Sequence, residues 1–268
     1  MITFSETYHE FTLIEKTDFY HHYHNAKMPF LFSCNVLKFN RDPILEEFMA
    51  TEKKLMNFQL KMNQDYVHFY SVENKPFPKE IEQYLVLENY ILTTEELLSI
   101  DPRDFYSTRS NKKVVVGLVQ SNKQLNDYLA FMYQLNLKHG VSYAQKKQVF
   151  YLNRFYSPEI QQINAYINGK IVGTANIISS GKFIEIDHFE VAPTLQHQGI
   201  GTEIQKFIMS LTKDKQVLLV AEKGSDASRI YYHQHYQFNG YQMSAFKRFL
   251  PSFSQDIPQT YPSMASTS

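Results

Sequence analysis

The chain of 268 residues has a single cysteine, no tryptophan and only nine glycines, and its 27 basic residues are balanced by 27 acidic ones. One thiol, Cys34, cannot form an internal disulfide, and its isolation fits a reducing compartment. Zero net charge removes the global electrostatic case for nucleic acid or an acidic membrane as partner. No apolar run approaches the ~20 residues that a membrane span needs. The N-terminal stretch, with Glu6, Glu10 and Glu15, lacks the pattern of a secretory leader. A cytoplasmic protein is expected. Three histidines cluster in Tyr20-His21-His22-Tyr23-His24, but His21 and His22 are adjacent and cannot share a helical face. A structural or substrate-side role is expected there, and no metal.

What the chain has in quantity is aromatic mass, 19 Tyr and 21 Phe. That serves either an aromatic-lined pocket or, more commonly, a core of Phe under a Tyr-rich surface. The length suits one large or two modest domains.

The most informative stretch is Gln196-His197-Gln198-Gly199-Ile200-Gly201-Thr202. An apolar strand over Phe183–Val191 precedes it, with an alternation that slips near Asp187-His188-Phe189 and so predicts a bulge. After it, Ile204, Phe207, Ile208 and Leu211 follow the spacing of a helix with one buried face. A helix start leaves backbone N–H groups unpaired at the positive end of the dipole. Two glycines there would let an anion approach those donors. The plain alternative is an ordinary tight strand-to-helix turn.

Gln196-x-x-Gly199-x-Gly201 resembles the Gln/Arg-x-x-Gly-x-Gly/Ala signature of the GCN5-related N-acetyltransferases, and Phe189-Glu190-Val191-Ala192-Pro193 resembles the strand end before it. Ser225-Asp226-Ala227-Ser228-Arg229-Ile230-Tyr231 and then His235-Tyr236 are similar to that family's later helix, with His235 where glycine is usual and Ser225 where Asn or Asp is common. The likeness covers roughly residues 114–248. It implies an α/β fold with a mixed sheet, the acyl-CoA N-acyltransferase fold, and the order β-α-α-β-β-β-α-β-α-β-β. Strands are expected over 113–120, 160–167, 171–178, 183–191 and 217–220, with a closing pair around Phe238 and 245–249, and helices near 125–135, 204–211 and 226–233, with a helix or loop around 142–153. Asn168-Gly169 signals a hairpin.

Residues 1–111 echo part of that order, with a strand over 30–39, a helix over 44–62 that turns Leu45, Phe48, Met49, Leu55 and Met56 inward, a strand over 66–70, a short helix near 81–85 and a strand over 90–98. Two related halves are expected: a degenerate first domain (1–112), a catalytic second domain (113–250) and a Pro/Ser-rich tail (251–268). Between the first half's strand and helix the chain reads Asn40-Arg41-Asp42-Pro43. No glycine opens the backbone, Asp42 is a candidate cap for the helix and Pro43 removes a donor. The first half is therefore expected to complete the acceptor pocket or the fold.

The resemblance implies acetyl-CoA as acyl donor and a small-molecule or peptide amine as acceptor. Its cofactor-binding positions map onto Phe189, Val191, Gln196, His197, Gln198, Gly199, Ile200, Gly201 and Thr202, with the pyrophosphate on the amides of 198–202 and the pantetheine arm beside the end of the strand. An amide near Val191 would polarise the thioester. Tyr231 maps onto the family's proton donor to the leaving thiolate, with Tyr232 as rival, and Glu190 is the first candidate base, ahead of Glu185, Asp187 and His188. Cys34, expected mid-strand in the half without the phosphate motif, reads as a buried apolar residue, so direct transfer in a ternary complex is expected. The alternative is a catalytically inactive acyl-CoA-binding regulatory protein.

Overall fold

A computed structural model describes residues 2–212 and 214–249. The expected 251–268 tail lies outside the described residues. Among the described residues no helix is long and apolar enough to cross a membrane. The chain forms two compact units. One comprises residues 9–96 with 240–249, and the other residues 2–8 with 97–239. The division falls within two strands, whereas the sequence places the domain edges at 112 and 250.

In the first unit β1 (Thr12–Lys16), β2 (Tyr20–His24), β3 (Val36–Phe39), α1 (Leu45–Lys61), β4 (Tyr66–Tyr70), α2 (Lys79–Leu87) and the start of β5 (Ile91–Ile100) follow in order. β3 and β4 run parallel with α1 as their crossover. The β1–β2 hairpin has no counterpart in the sequence reading, because residues 12–16 are mostly exposed and carry no alternation. The strand expected over 30–39 forms only at its end. Cys34 therefore sits in a buried 3-10 turn, Phe32–Cys34, rather than mid-strand. α1 buries Phe48 and Leu55 as expected but turns Met49 outward. Tucked beneath it is Glu52, which accepts hydrogen bonds from Tyr84 (2.5 Å) and Tyr90 (2.5 Å). His22 and His24 project to one side of β2 and meet the ring of Phe58 edge-on, at 4.7 and 5.1 Å.

The second unit continues with β6 (Val114–Leu118), α3 (Asn122–Asn136), α4 (Val141–Phe155), β7 (Ile160–Ile167), β8 (Lys170–Ser180), β9 (Phe183–Val191), α5 (Ile200–Leu211), β10 (Gln216–Glu222), α6 (Asp226–His233) and β11 (Gln237–Arg248). Its strands are ordered β5-β10-β9-β8-β7-β6, a mixed sheet in which β9 and β10 are parallel and β6 to β9 antiparallel. β11 is one strand where the sequence suggests a pair, and its residues 244–248 run antiparallel to β4 in the first unit's order β1-β2-β3-β4-β11. Ser121 and Gln124 form the capping box that starts α3. Asn168 (φ 51°) and Gly169 (φ 76°) make the expected tight turn.

α5 buries Ile200, Ile204 and Ile208, while Leu211 at its end is exposed. Its close seat on β8 depends on Gly173: a Cβ there would lie 3.0 Å from the Glu190 carbonyl oxygen, 3.1 Å from Ile204 Cδ1 and 3.3 Å from Ile200 Cγ2. That glycine lets the first turn of α5 lie against the sheet, beside the end of β9.

Candidate functional site

β9 carries the slip its sequence foretells. Across β8, Thr174 pairs with Glu190 and Asn176 with Asp187, so Ala175 alone faces both His188 and Phe189. His188 adopts φ 48°, the local kink of a bulge. On the other edge the parallel register with β10 runs from Gln216↔Phe183 to Leu218↔Glu185 and ends there. The C-terminal part of β9 therefore bends away from β10 and leaves backbone exposed.

After a 3-10 turn over Pro193–Leu195, His197 (φ 62°) and Gly199 (φ 81°) reverse the chain into α5. Gly199 is the N-cap and has no side-chain oxygen to offer. The first donor satisfied within the helix is the Glu203 N–H, which bonds the Gly199 carbonyl at 3.1 Å. The amides of Ile200, Gly201 and Thr202 precede it at the positive end of the dipole. The corresponding turn in the first unit is closed differently. Asp42 does not cap α1; the N-cap is Ile44, and Asp42 faces Lys75 at 3.3 Å. Glu47 bonds the Ile44 N–H (3.1 Å) and pairs with Arg41 (2.7 Å), so a carboxylate already occupies the place an anion would take.

A cleft of about 340 Å³ opens at the α5 start. Of the nine expected cofactor residues, Phe189, Val191, Gln196, His197, Gly199, Ile200, Gly201 and Thr202 line it. Gln198 does not; its carbonyl accepts a hydrogen bond from Asn111 Nδ2 at 2.9 Å. The opposite walls come from α6 (Ile230, His233, Gln234), from Gln205 and from the segment 106–109. That segment carries no periodicity and no motif, so the sequence offered no signal for it. The lining includes Arg109, His197 and His233 but no Asp or Glu.

Tyr231 is buried in the hydrophobic core together with Phe189, Val191 and Ala227, and its ring lies 5.3 Å from that of Tyr236. It is not among the lining residues, although its neighbour Ile230 is. Tyr232 is exposed. Tyr236 donates to Gln205 Oε1 (3.0 Å), and Gln205 Nε2 donates to Gln234 (2.7 Å), a buried chain behind the cleft. His235 adopts φ 75°, the conformation for which glycine is the easy choice, and its ring stacks on Tyr106 at 5.1 Å.

Four titratable groups of β9 were candidates for a base. Asp187 pairs with Arg154 and with His188 Nδ1 (2.7 Å). Burial alone would raise Asp187, but these partners hold it well below the usual carboxylate range. Burial pushes His188 down to about 4, so its ring is neutral, with Nδ1 donating to Asp187 and Nε2 3.0 Å from Lys147 Nζ. Both nitrogens are thus engaged. Glu185, raised to about 8 by burial and by Asp187, accepts the Tyr8 N–H at 2.5 Å. The Glu190 carboxylate has no hydrogen bond or ion pair among the described residues. Burial, opposed by Lys138 and Lys147, lifts it to about 7.

Residues 123–236 match the model of the acetyltransferase (GNAT) family, and residues 2–98 match a domain of unknown function, DUF5613. No curated protein matches the chain. Among solved structures, a functionally unknown conserved protein from Staphylococcus epidermidis ATCC 12228 is 25% identical with a TM-score of 0.85, covering 93% of this chain and 98% of its own. A GCN5-related N-acetyltransferase from Kribbella flavida is 12% identical with a TM-score of 0.53, covering 80% of this chain and 81% of its own. A tandem GNAT protein from the clavulanic acid biosynthesis pathway is 7% identical with a TM-score of 0.50, covering 81% of this chain and 76% of its own.

Proposed function

Because residues 123–236 match the acetyltransferase (GNAT) family model, we propose that the protein is an N-acetyltransferase, moving the acetyl group of acetyl-CoA to a primary amine by direct attack. The observation that carries this reading is the cleft: three amides at a helix start, an N-cap without a side-chain oxygen, and a lining free of carboxylates. Such a wall favours a polyanion. In this reading the amides of 200–202 bind the diphosphate of the donor. The splayed end of β9 offers its backbone to the amide-bearing arm, as an added strand would take it.

The amine arrives as an ammonium and must lose a proton before it can attack. Glu190 is suited to take it, because it has no other partner and a carboxylate near 7 is half ionised at neutral pH. The nitrogen then forms a bond to the thioester carbon, and an N–H near Val191 stabilises the oxyanion. Collapse breaks the carbon–sulfur bond and releases a thiolate, while the nitrogen, now an amide, gives up its second proton to solvent, which restores the one the proton donor spends. Tyr231 is the proposed proton donor to that sulfur. The buried Tyr231, not the exposed Tyr232, shares the core of Phe189 and Val191.

Calorimetry with acetyl-CoA, followed by thiol release against a panel of amines, tests the reading. Saturable binding with amine-dependent thiol release is the expected result. Binding without release from any amine would overturn the enzymatic part, and absence of binding would overturn the whole.

A further inference from the structure

The segment 105–113, between the end of β5 and β6, lies outside the family match at 123–236 yet supplies one wall of the cleft. It is fixed to both flanking walls. Toward α5, the Asn111 N–H donates to Glu203 Oε1 (3.1 Å), Asn111 Nδ2 donates to the Gln198 carbonyl (2.9 Å), and Lys206 Nζ donates to the Arg109 carbonyl (3.3 Å). Toward α6, the Tyr106 N–H donates to the Gln234 carbonyl (3.4 Å) and the Tyr106 ring stacks on His235 with an interplanar angle of 10°. The Arg109 N–H is held by Ser107 Oγ at 3.2 Å. Of the strap residues that line the cleft, 106–109, Arg109 alone carries a charged side chain. The Arg109 guanidinium is exposed, lines the cleft and has no hydrogen-bond or ion-pair partner among the described residues. Nearby Lys206, by contrast, spends its charge on Glu203 at 3.0 Å.

We propose that Arg109 binds the ribose 3′-phosphate of coenzyme A, which makes the segment 106–111 the clamp of the nucleotide end of the cleft. The assignment rests on the acyl-CoA reading above. Coenzyme A presents two anionic groups, a diphosphate and a separate phosphate monoester. The amides of 200–202 serve the first, and the side chains of the lining are left for the other. A monoester carries close to two negative charges and three acceptor oxygens at neutral pH, which the planar guanidinium fork matches with paired hydrogen bonds. The strap's hydrogen bonds and ring stack are with Gln198, Glu203, Lys206, Gln234 and His235, at the first turns of α5 and the end of α6, and among the described residues none of these bonds is with β9. Its place is thus the nucleotide end of the cleft, away from the bulge where the thioester would lie.

Calorimetric titration of the full chain and of Arg109→Ala with coenzyme A and with 3′-dephospho-coenzyme A separates the possibilities. Because the Arg109 side chain is exposed and its hydrogen bonds are main-chain ones that alanine keeps, the substitution leaves the fold intact, and a thermal melt confirms it. The expected result is that the wild type prefers coenzyme A by about tenfold. Arg109→Ala should lose that preference while binding the dephospho ligand as before. Equal weakening toward both ligands would place Arg109 on the diphosphate and overturn the assignment. So would a wild type that does not discriminate between them. A wild type that takes up neither ligand would overturn the acyl-CoA reading itself, and this assignment with it.

Discussion

Gly199 and Gly201 look equivalent in the sequence, yet replacing each by alanine should give changes of opposite sign. Gly199 is left-handed at φ 81°, ψ 4°, where a Cβ costs roughly 1–2 kcal/mol. The added atom would sit 3.4 Å from the Ser110 carbonyl carbon and 3.5 Å from Asn111 Cβ, ordinary contacts, so the strain is in the backbone. For a chain of this size that cost lowers the melting temperature by roughly 2–8 °C. Gly201 is helical, and its Cβ would meet Phe189 Cζ at 3.4 Å and Val191 Cγ2 at 3.8 Å, a contact the neighbouring ring can accept. Alanine is the better helix former, so Gly201→Ala should leave stability unchanged or raise it by up to about 0.5 kcal/mol. Differential scanning calorimetry, following the transition that acetyl-CoA shifts, reads both effects in a chain with two units. Acetyl-CoA affinity should fall more for Gly199→Ala, because relaxing φ re-aims the amides of 200–202. Equal losses of stability in the two variants would refute the reasoning.

Three further expectations follow from the same geometry. With Glu190 raised to about 7, the carboxylate is protonated and inactive below that pH. kcat/KM should therefore climb as pH rises toward 7, and Glu190→Gln should abolish that limb and cost about 10²-fold at pH 8. Tyr231→Phe should lower kcat by at least about tenfold with KM for acetyl-CoA unchanged, whereas Tyr232→Phe should change neither; steady-state kinetics on both variants decides between the adjacent tyrosines. In the first unit, Glu52→Ala strands the buried hydroxyl of Tyr90 and the half-buried one of Tyr84 and should destabilise that unit by roughly 2–4 kcal/mol, measured by urea unfolding.

The elements legible in the sequence are those whose side chains repeat with a period. β9 was bounded at Phe183–Val191 because apolar residues alternate up to the bulge, and α5 was placed because Ile204, Phe207, Ile208 and Leu211 recur at i, i+3, i+4 and i+7. β1 was not legible, since its Thr-Leu-Ile-Glu-Lys run is mostly exposed and its register with β2 itself shifts between Leu13 and Glu15. Helix capping in the first unit misled for a related reason. Asp42 is the better cap by residue type, but Pro43 extends the chain and the helix begins later, with Glu47 serving the end of the turn. At the candidate site the residues around the α5 start announced themselves through glycine spacing. The strap 106–111 could not, because its place comes from hydrogen bonds to Gln198, Glu203 and Gln234, residues that lie 87 positions or more away. Long-range pairing of this kind leaves no local pattern.

The bulge at His188 links donor and acceptor chemistry on one strand. Without the extra residue, β9 would keep strict alternation, and Phe189 and Glu190 would exchange faces. With it, Phe189 and Val191 turn toward the core and the cleft, while Glu190 joins the face that carries Glu185 and Asp187. The same kink ends the pairing with β10 after Glu185, which frees backbone for a ligand to borrow. The kink is held by a specific device: the His188 N–H bonds Asp187 Oδ1 at 2.8 Å, its ring bonds the other oxygen, and Arg154 locks that carboxylate from α4. Asp187 and His188 are on this account the hinge pins of the bulge, so neither is free to serve as a base, and Glu190 is left for that proposed role. Removing the pin should therefore damage two functions at once, donor binding through the cleft and proton removal through Glu190, although neither residue touches the donor.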